Sequence, residues 1–444
     1  MGEGVLSGRA AAGQRGSGTA SPTELLFADA GLVRRGSGLY LGDVSLTDIA
    51  KEVGTPAYVY NAEAIRGRYR ALDGALGSLP HRICFAVKAN SNLGILRILR
   101  DLGAGADIVS SGELARALAA GFAPEQIVFS GVGKTAEELR SAIRAGVGHL
   151  NVESWEELEL VGRIAEAEAT QVRVGIRVNP DVTTETHPYI STGKSGIKFG
   201  VPTDQVVTAA EYILAHPRLE LTTVAMHLGS QLVDTAPFRQ GIARLIDLVE
   251  RLRKAGVGTL QVLDIGGGLG IRYSDERAME PDEFADAVVP LLGPTSLKIY
   301  LEPGRFLVGS AGLLLTRVLY RKHSGGKEFV VVDAGMNDLV RPSHYQAYHE
   351  IVELVGQGRP SARVDVVGPV CETGDFLALD RTLPGLEAGD ALALLGAGAY
   401  GFVMASNYNS RPRPPEVIVD GGTWWIARER EKLEDLFATE RLSP

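Results

Sequence analysis

From Ile83 onward the chain repeats one pattern: a short apolar run, a turn bearing Gly, Ser or Asn, then a stretch with alanine and leucine at helical spacing. The apolar runs predict eight strands, at Ile83–Lys88, Ala106–Val109, Ile127–Ser130, His149–Val152, Val172–Val178, Thr222–His227, Val262–Ile265 and Lys298–Leu301. Between them, stretches such as Gly112–Ala120 and Ala136–Ala145 predict amphipathic helices. The first four runs begin about 22 residues apart, a length that suits one strand and one helix. Strands alternating with helices imply a parallel sheet, and eight such units imply a (β/α)8 barrel. An open doubly wound sheet is the competing architecture, but its dinucleotide fingerprint is missing. In Gly266-Gly267-Gly268-Leu269-Gly270 the last required glycine is replaced by Ile271.

After Gly309 the texture changes. Residues 313–323, 328–333, 362–368, 391–396 and 416–420 read as strands separated by Gly/Pro turns, which predicts a mainly antiparallel β domain. Thr55–Tyr60, ahead of the barrel, is also strand-like and is expected to join it. The organisation predicted is a tail at 1–22, an N-terminal segment of the β domain at 23–60, the barrel at 61–308 and the rest of the β domain at 309–444.

Composition narrows the setting. A chain of 444 residues with 45% hydrophobic content can bury two large cores. A net charge of −9 without a basic run argues against nucleic acid or an anionic membrane as partner. Two cysteines, Cys84 and Cys371, make no disulfide framework and suit a reducing, cytoplasmic setting. No apolar run reaches the roughly eighteen residues of a membrane span. Residues 1–22, rich in Gly, Ala and Ser with scattered Arg, lack the apolar core of a signal peptide and predict a disordered tail. A transit peptide would share their Arg and Ser content.

The chemistry is expected at the C-terminal ends of the barrel strands. Lys88 closes the first strand, before the turn formers Asn90, Ser91 and Asn92. It reads either as an amine snorkelling into water or as a Schiff-base lysine whose pKa desolvation lowers. The loops after strands seven and eight are Gly266-Gly267-Gly268 and Glu302-Pro303-Gly304-Arg305. There, adjacent glycines let backbone N–H groups close on a phosphate. A second string, Gly131-Val132-Gly133-Lys134-Thr135, fails as a P-loop because Val128 holds the place of its first glycine. A lysine at strand one and a phosphate cradle at strands seven and eight describe a cofactor with an aldehyde and a phosphate, and pyridoxal phosphate fits. Glu302 would then hold a proton on the pyridine nitrogen and His227 would stack on the ring. Taken singly, each of these residues has a commoner structural explanation; their joint fit favours the cofactor.

Several strings carry a family resemblance: Phe-Ala-Val-Lys-Ala-Asn at 85–90, Ser-Ser-Gly-Glu-Leu at 110–114, Gly-Val-Gly-Lys-Thr at 131–135 and Met-His-Leu-Gly-Ser-Gln at 226–231. With them stand Gly-Gly-Gly-Leu-Gly at 266–270, Glu-Pro-Gly-Arg at 302–305, Asn179-Pro180-Asp181, His-Pro-Tyr-Ile-Ser-Thr-Gly at 187–193 and Cys371-Glu372-Thr373-Gly374-Asp375. From about Thr23 to Ile418 the chain resembles the alanine-racemase-like, fold-type III pyridoxal phosphate enzymes, and within them the diaminopimelate decarboxylases. Thr373 stands where that family more often has serine, which keeps the hydroxyl.

The resemblance implies decarboxylation of meso-2,6-diaminopimelate to L-lysine and carbon dioxide, the last step of lysine biosynthesis. It implies that Lys88 holds the cofactor covalently, that His227 stacks on its ring and that Glu302 faces the pyridine nitrogen. Ser230, Gly266, Gly267, Gly268, Gly304, Arg305 and Tyr400 would surround the phosphate. Arg305, Arg341 and Tyr345, with Tyr400 close by, would hold substrate carboxylate, Glu372 a substrate ammonium, and Cys371 would return the proton. It further implies a two-fold homodimer in which the Cys371-Glu372 loop reaches the second subunit's site. An ornithine- or arginine-type decarboxylase, a racemase and a non-catalytic cofactor carrier remain as alternatives. The first would differ in the specificity strings, the second would need a base on each ring face, and the third would lack the β domain.

Overall fold

The structure, a computed structural model, describes residues 20–182 and 198–442. The His187–Gly193 string and residues 1–19 of the predicted tail lie outside the described residues.

Eight strands close into a parallel barrel: β1 His81–Ala86, β2 Gly105–Ile108, β3 Ile127–Phe129, β4 His149–Val152, β5 Val172–Val178, β6 Leu219–Met226, β7 Val262–Asp264 and β8 Lys298–Leu301. Each pairs with the next in sequence, and β8 returns to β1 through Leu301 opposite Ile83. Strands such as β2 and β4 are buried at every position, as parallel strands under a shell of helices must be. Short polar residues start the helices. Ser110, Thr135 and Ser154 each accept the backbone N–H three residues on, at Glu113, Glu138 and Glu157, and Glu138 returns the bond to complete a capping box. The helices Ser111–Ala119 and Ala136–Ala145 follow the first two of these caps.

The first strand is shorter than its apolar pattern predicts. It stops at Ala86, and Val87–Ala89 form one 3-10 turn closed by Asn90 N–H donating to the Val87 carbonyl at 3.1 Å. Burial of Val87 and Ala89 extends the apolar signal past the end of the ladder.

The second domain is a mainly antiparallel sheet. The strand Ala57–Asn61 lies at its centre, antiparallel to Gly312–Leu315 and parallel to Glu416–Val419, so the N-terminal piece joins it as expected. The long strand Gly312–Ser324 pairs also with Ala391–Leu394 and Lys327–Val332, and the latter runs parallel to Ser361–Val367. Three strands have no counterpart in the sequence reading: Ile351–Glu353, Phe376–Pro384 and Thr423–Arg428. The first is too short to show a period, the second carries Asp380 at φ 57° with adjacent charges, and the third is largely exposed. A further subdomain, equally unpredicted, comprises helices Pro22–Ala30 and Leu46–Glu52 around a small sheet. Its Leu39, Leu41, Leu46 and Ile49 pack against Leu313, Leu315 and Val417 of the β domain. No described helix is long and apolar enough to cross a membrane.

The β domain is clasped to the barrel mouth. Tyr400 N–H donates to the Ala89 carbonyl at 2.8 Å, and Asn90 Nδ2 donates to the Gly398 carbonyl at 3.0 Å. One β-domain loop thereby rests on the turn that carries Lys88.

Candidate active site

Lys88 leaves its turn at the C-terminal end of β1, and its Nζ donates to Oδ2 of Asp107 at 2.8 Å. Asp107, from β2, is fully buried, and its other oxygen has no partner. Burial opposes the lysine's charge, but the carboxylate of Asp107 beside it outweighs burial and holds the amine above its ordinary value. This corrects the expectation that desolvation lowers the Lys88 pKa: a buried carboxylate next to the amine reverses the sign. The signal available in the sequence was a lone aspartate inside an apolar strand, which is costly unless paired.

Glu302 follows β8 and is buried, and Ser130 Oγ lies 3.5 Å from its Oε1 while Asn151 Nδ2 donates to that hydroxyl at 3.2 Å. Burial, then the charges of Asp107 and Asp264, push the Glu302 carboxyl well above the usual range. Burial likewise raises Asp264, to about 6, although its Oδ1 accepts the Gly266 N–H at 2.9 Å. Of the three carboxyls, Glu302 is the one most strongly pushed toward its protonated form. Arg177, paired with Glu153 at 2.7 Å, supplies a second cation.

His227 follows β6, half-buried, and its Nδ1 accepts the Gly267 N–H at 3.2 Å. Burial, with Arg177 and Lys88 nearby, holds the ring well below its ordinary pKa, so it is neutral with its proton on Nε2. Gly266, Gly267 and Gly268 form the loop after β7. A Cβ at Gly267 would lie 2.1 Å from the Glu302 carbonyl oxygen, and Gly268 has φ 104°. The loop can approach β8 this closely, and turn this sharply, only with glycine. Gly304 begins the four-residue helix Arg305–Val308.

Arg305 is buried; its Nη2 donates to Ser230 Oγ at 3.0 Å, its Nη1 to the Tyr273 hydroxyl at 2.5 Å, and its guanidinium lies 5.0 Å from the Tyr400 ring centroid. Arg341, at the start of the helix Arg341–Tyr345, is buried too, 5.8 Å from the Tyr345 ring centroid and 5.3 Å from that of Tyr273. Tyr400 thus belongs to this mouth even though it comes from the β domain.

The structure brings Lys88, His227, Ser230, Gly266–Gly268, Glu302, Gly304, Arg305 and Tyr400 to one mouth, with Arg341 and Tyr345 joined to it through Tyr273. Cys371 and Glu372 stand apart, exposed on a loop. Cys371 N–H donates to Asn409 Oδ1 at 2.8 Å, and Tyr408 hydrogen-bonds Glu372. Residues that sequence reasoning missed are Asp107, Asp264, Arg177, Ser130, Asn151 and Tyr273, mostly polar side chains on strands that looked uniformly apolar. Lys134 of the string resembling a P-loop is occupied elsewhere, donating to Glu157 at 2.6 Å and to the Gly131 and Asn151 carbonyls.

A closed parallel barrel with a lysine–carboxylate pair at β1 and β2 and a glycine loop after β7 defines a class of cofactor-binding barrels. The sequence profile described as "Pyridoxal-dependent decarboxylase, pyridoxal binding domain" matches residues 62–309. Over 410 residues the chain is 49% identical to the diaminopimelate decarboxylase of Pseudomonas aeruginosa, covering 92% of this chain and 98% of that one. A crystal structure of diaminopimelate decarboxylase from Helicobacter pylori complexed with L-lysine superimposes with TM-score 0.86 at 41% identity, over 89% of this chain and 98% of that one. The enzyme of the same name from M. jannaschii gives 0.90 at 35%, over 94% and 99%. The chain belongs to the diaminopimelate decarboxylase family of pyridoxal-dependent decarboxylases.

Proposed function

We infer that this chain decarboxylates meso-2,6-diaminopimelate to L-lysine and carbon dioxide, using pyridoxal phosphate. The observation that carries this reading is the convergence of Lys88, Glu302, His227 and the Gly266–Gly268 loop on one barrel mouth, beside two buried arginines. The residues fit the cofactor. Lys88 offers an amine for its aldehyde, His227 a neutral ring face and Glu302 a protonated carboxyl for its pyridine nitrogen. Ser230, Gly266, Gly267, Gly268, Gly304, Arg305 and Tyr400 offer a cradle for its phosphate, and a side chain at Gly267 would collide with the Glu302 carbonyl and push the loop away from β8. When bound, the cofactor supplies an electron sink for the pair left behind by the departing carboxylate.

The protein's own groups do the rest. Asp107 fixes the Lys88 amine at the mouth, and Glu302 holds its proton where burial and two neighbouring carboxyls favour it. Arg305, Arg341 and Tyr345 bind the carboxylate that the substrate retains, and Glu372 the ammonium next to it. The bond from the D-centre carbon to the other carboxyl breaks, carbon dioxide leaves, and the Cys371 thiol gives its proton to that carbon. Cys371 and Glu372 act from a second copy of the chain, so the working unit is a homodimer with shared sites. Their exposed loop, flanked by the exposed Tyr408, supports this arrangement. The reaction's biosynthetic role, the acidic charge and the two unpaired cysteines support a cytoplasmic setting.

The test is carbon dioxide release from cofactor-loaded protein offered meso-diaminopimelate, ornithine and arginine separately. Release from diaminopimelate alone, with lysine formed, is expected. Release only from ornithine or arginine would overturn the substrate, and no release from any would overturn the enzyme reading.

A further inference from the structure

Tyr273 is absent from every motif, yet it touches both arginines of the mouth. Its hydroxyl accepts from Arg305 Nη1 at 2.5 Å, and the Arg305 and Arg341 guanidiniums lie 5.8 and 5.3 Å from its ring centroid. Both arginines are buried, both have an Nε without a partner, and among the described residues neither has an acidic ion-pair partner. Two desolvated cations side by side repel each other unless something between them offers compensating electron density. The Tyr273 oxygen and π face do so, at the distance range of cation–π contacts.

The tyrosine is itself held from several sides. Its N–H donates to Glu276 Oε1 at 2.7 Å, and two residues earlier Gln231 clasps Ile271 with bonds of 2.6 and 3.2 Å. Its ring meets the edge of buried His349 at a centroid distance of 5.6 Å, and a Cβ on Gly396 would come within 3.2 Å of it. His349 Nδ1 donates to the Leu395 carbonyl, and burial drops the ring's pKa to about 3, so it adds no third cation. Burial alone would raise the Tyr273 pKa, but Arg305 and Arg341 lower it, consistent with a phenol oxygen enriched in charge between them.

We propose that Tyr273 is a positioning residue for substrate recognition, holding Arg305 and Arg341 as a fixed pair that receives the carboxylate the substrate keeps. This rests on the diaminopimelate reading and deepens it. The loop after β7 then contributes twice: Gly266–Gly268 toward the cofactor, and Tyr273 toward the specificity arginines.

The test compares wild type and Tyr273→Phe, both cofactor-loaded, by calorimetric titration with L-lysine and with cadaverine, which is lysine without its carboxylate. The variant keeps the ring and its packing and loses only the oxygen. Loss of one hydrogen bond to a charged group predicts about tenfold weaker L-lysine binding, with cadaverine within about twofold of wild type. The KM for diaminopimelate is expected to rise by a similar factor while kcat changes little. Unchanged L-lysine binding, or parallel loss of both ligands, would overturn the proposal. Wild-type protein that fails to prefer L-lysine over cadaverine would overturn the carboxylate role of the arginines, and the proposal with it.

Discussion

At the scale of single residues, the mouth is governed by how three buried carboxyls share one ammonium. Burial, with the charges of Asp107 and Asp264, pushes Glu302 toward its protonated form, so an uncharged isostere should be tolerated by the fold. Glu302→Gln is expected to change unfolding free energy by less than about 1 kcal/mol. Its kcat should nevertheless fall by about 100-fold if, as proposed, Glu302 faces the pyridine nitrogen and acts on developing charge. Urea unfolding and steady-state kinetics on the same preparation check both halves. Sequence reading reached Lys88, His227, Glu302 and the glycine loop because each sits at a strand end next to turn residues. It passed over Asp107 and Tyr273, whose importance depends on which neighbours the closed barrel gives them.

At the scale of elements, the loop Val370–Asp375 is the chain's most exposed piece of proposed machinery and is fixed from beneath. The buried carboxylate of Asp375 accepts the Met336 and Val370 N–H groups, each at 2.6 Å. Gly335 and Gly368 flank it; a Cβ at Gly368 would lie 2.5 Å from a carboxylate oxygen. Asp375 therefore ties the Cys371-Glu372 loop to the segment that leads into Arg341. Asp375→Ala leaves two N–H groups unsatisfied and is expected to cost on the order of 2–4 kcal/mol. It should also lower kcat, because the Cys371 thiol loses its fixed position; denaturation midpoints and turnover at saturating substrate measure the two effects. The anchoring was not legible in the residues: Asp375 closes a string that carries the family resemblance, but its N–H partners are set by the fold, and the strand that follows, Phe376–Pro384, was not predicted.

At the scale of the whole molecule, stability should depend on pH through Asp338. Burial, together with Asp333 and Asp375, pushes its carboxyl up to about 7 against the Gly335 N–H and Arg411. A folded pKa above the unfolded value gives stability that is present below about pH 4 and lost as pH rises through about 7. Asp338→Asn removes that loss, so the variant should gain on wild type between pH 5 and pH 8, by on the order of 2–3 kcal/mol. Unfolding free energies of both proteins at the two pH values decide it. The proposed sharing of sites between two copies predicts a second whole-molecule behaviour. Lys88→Ala and Cys371→Ala homodimers should each be nearly inactive, and re-associated mixtures should recover about a quarter of wild-type activity, because half the dimers then hold one intact site. Recovery no greater than the sum of the separate activities would place Cys371 in the same subunit's site.

The sequence by itself determined the barrel, the β domain with its N-terminal strand, and the strand-end residues that point to a pyridoxal phosphate decarboxylase. These follow from periodicity and from local strings, which are written in consecutive residues. Only the tertiary structure decided that Lys88 is a charged amine held by Asp107, that Glu302 shares its burial with Asp264, and that Tyr273 joins Arg305 to Arg341. Those facts are electrostatic and depend on distances across the closed barrel. A pKa is fixed by which charges burial brings together, and chain spacing does not encode that.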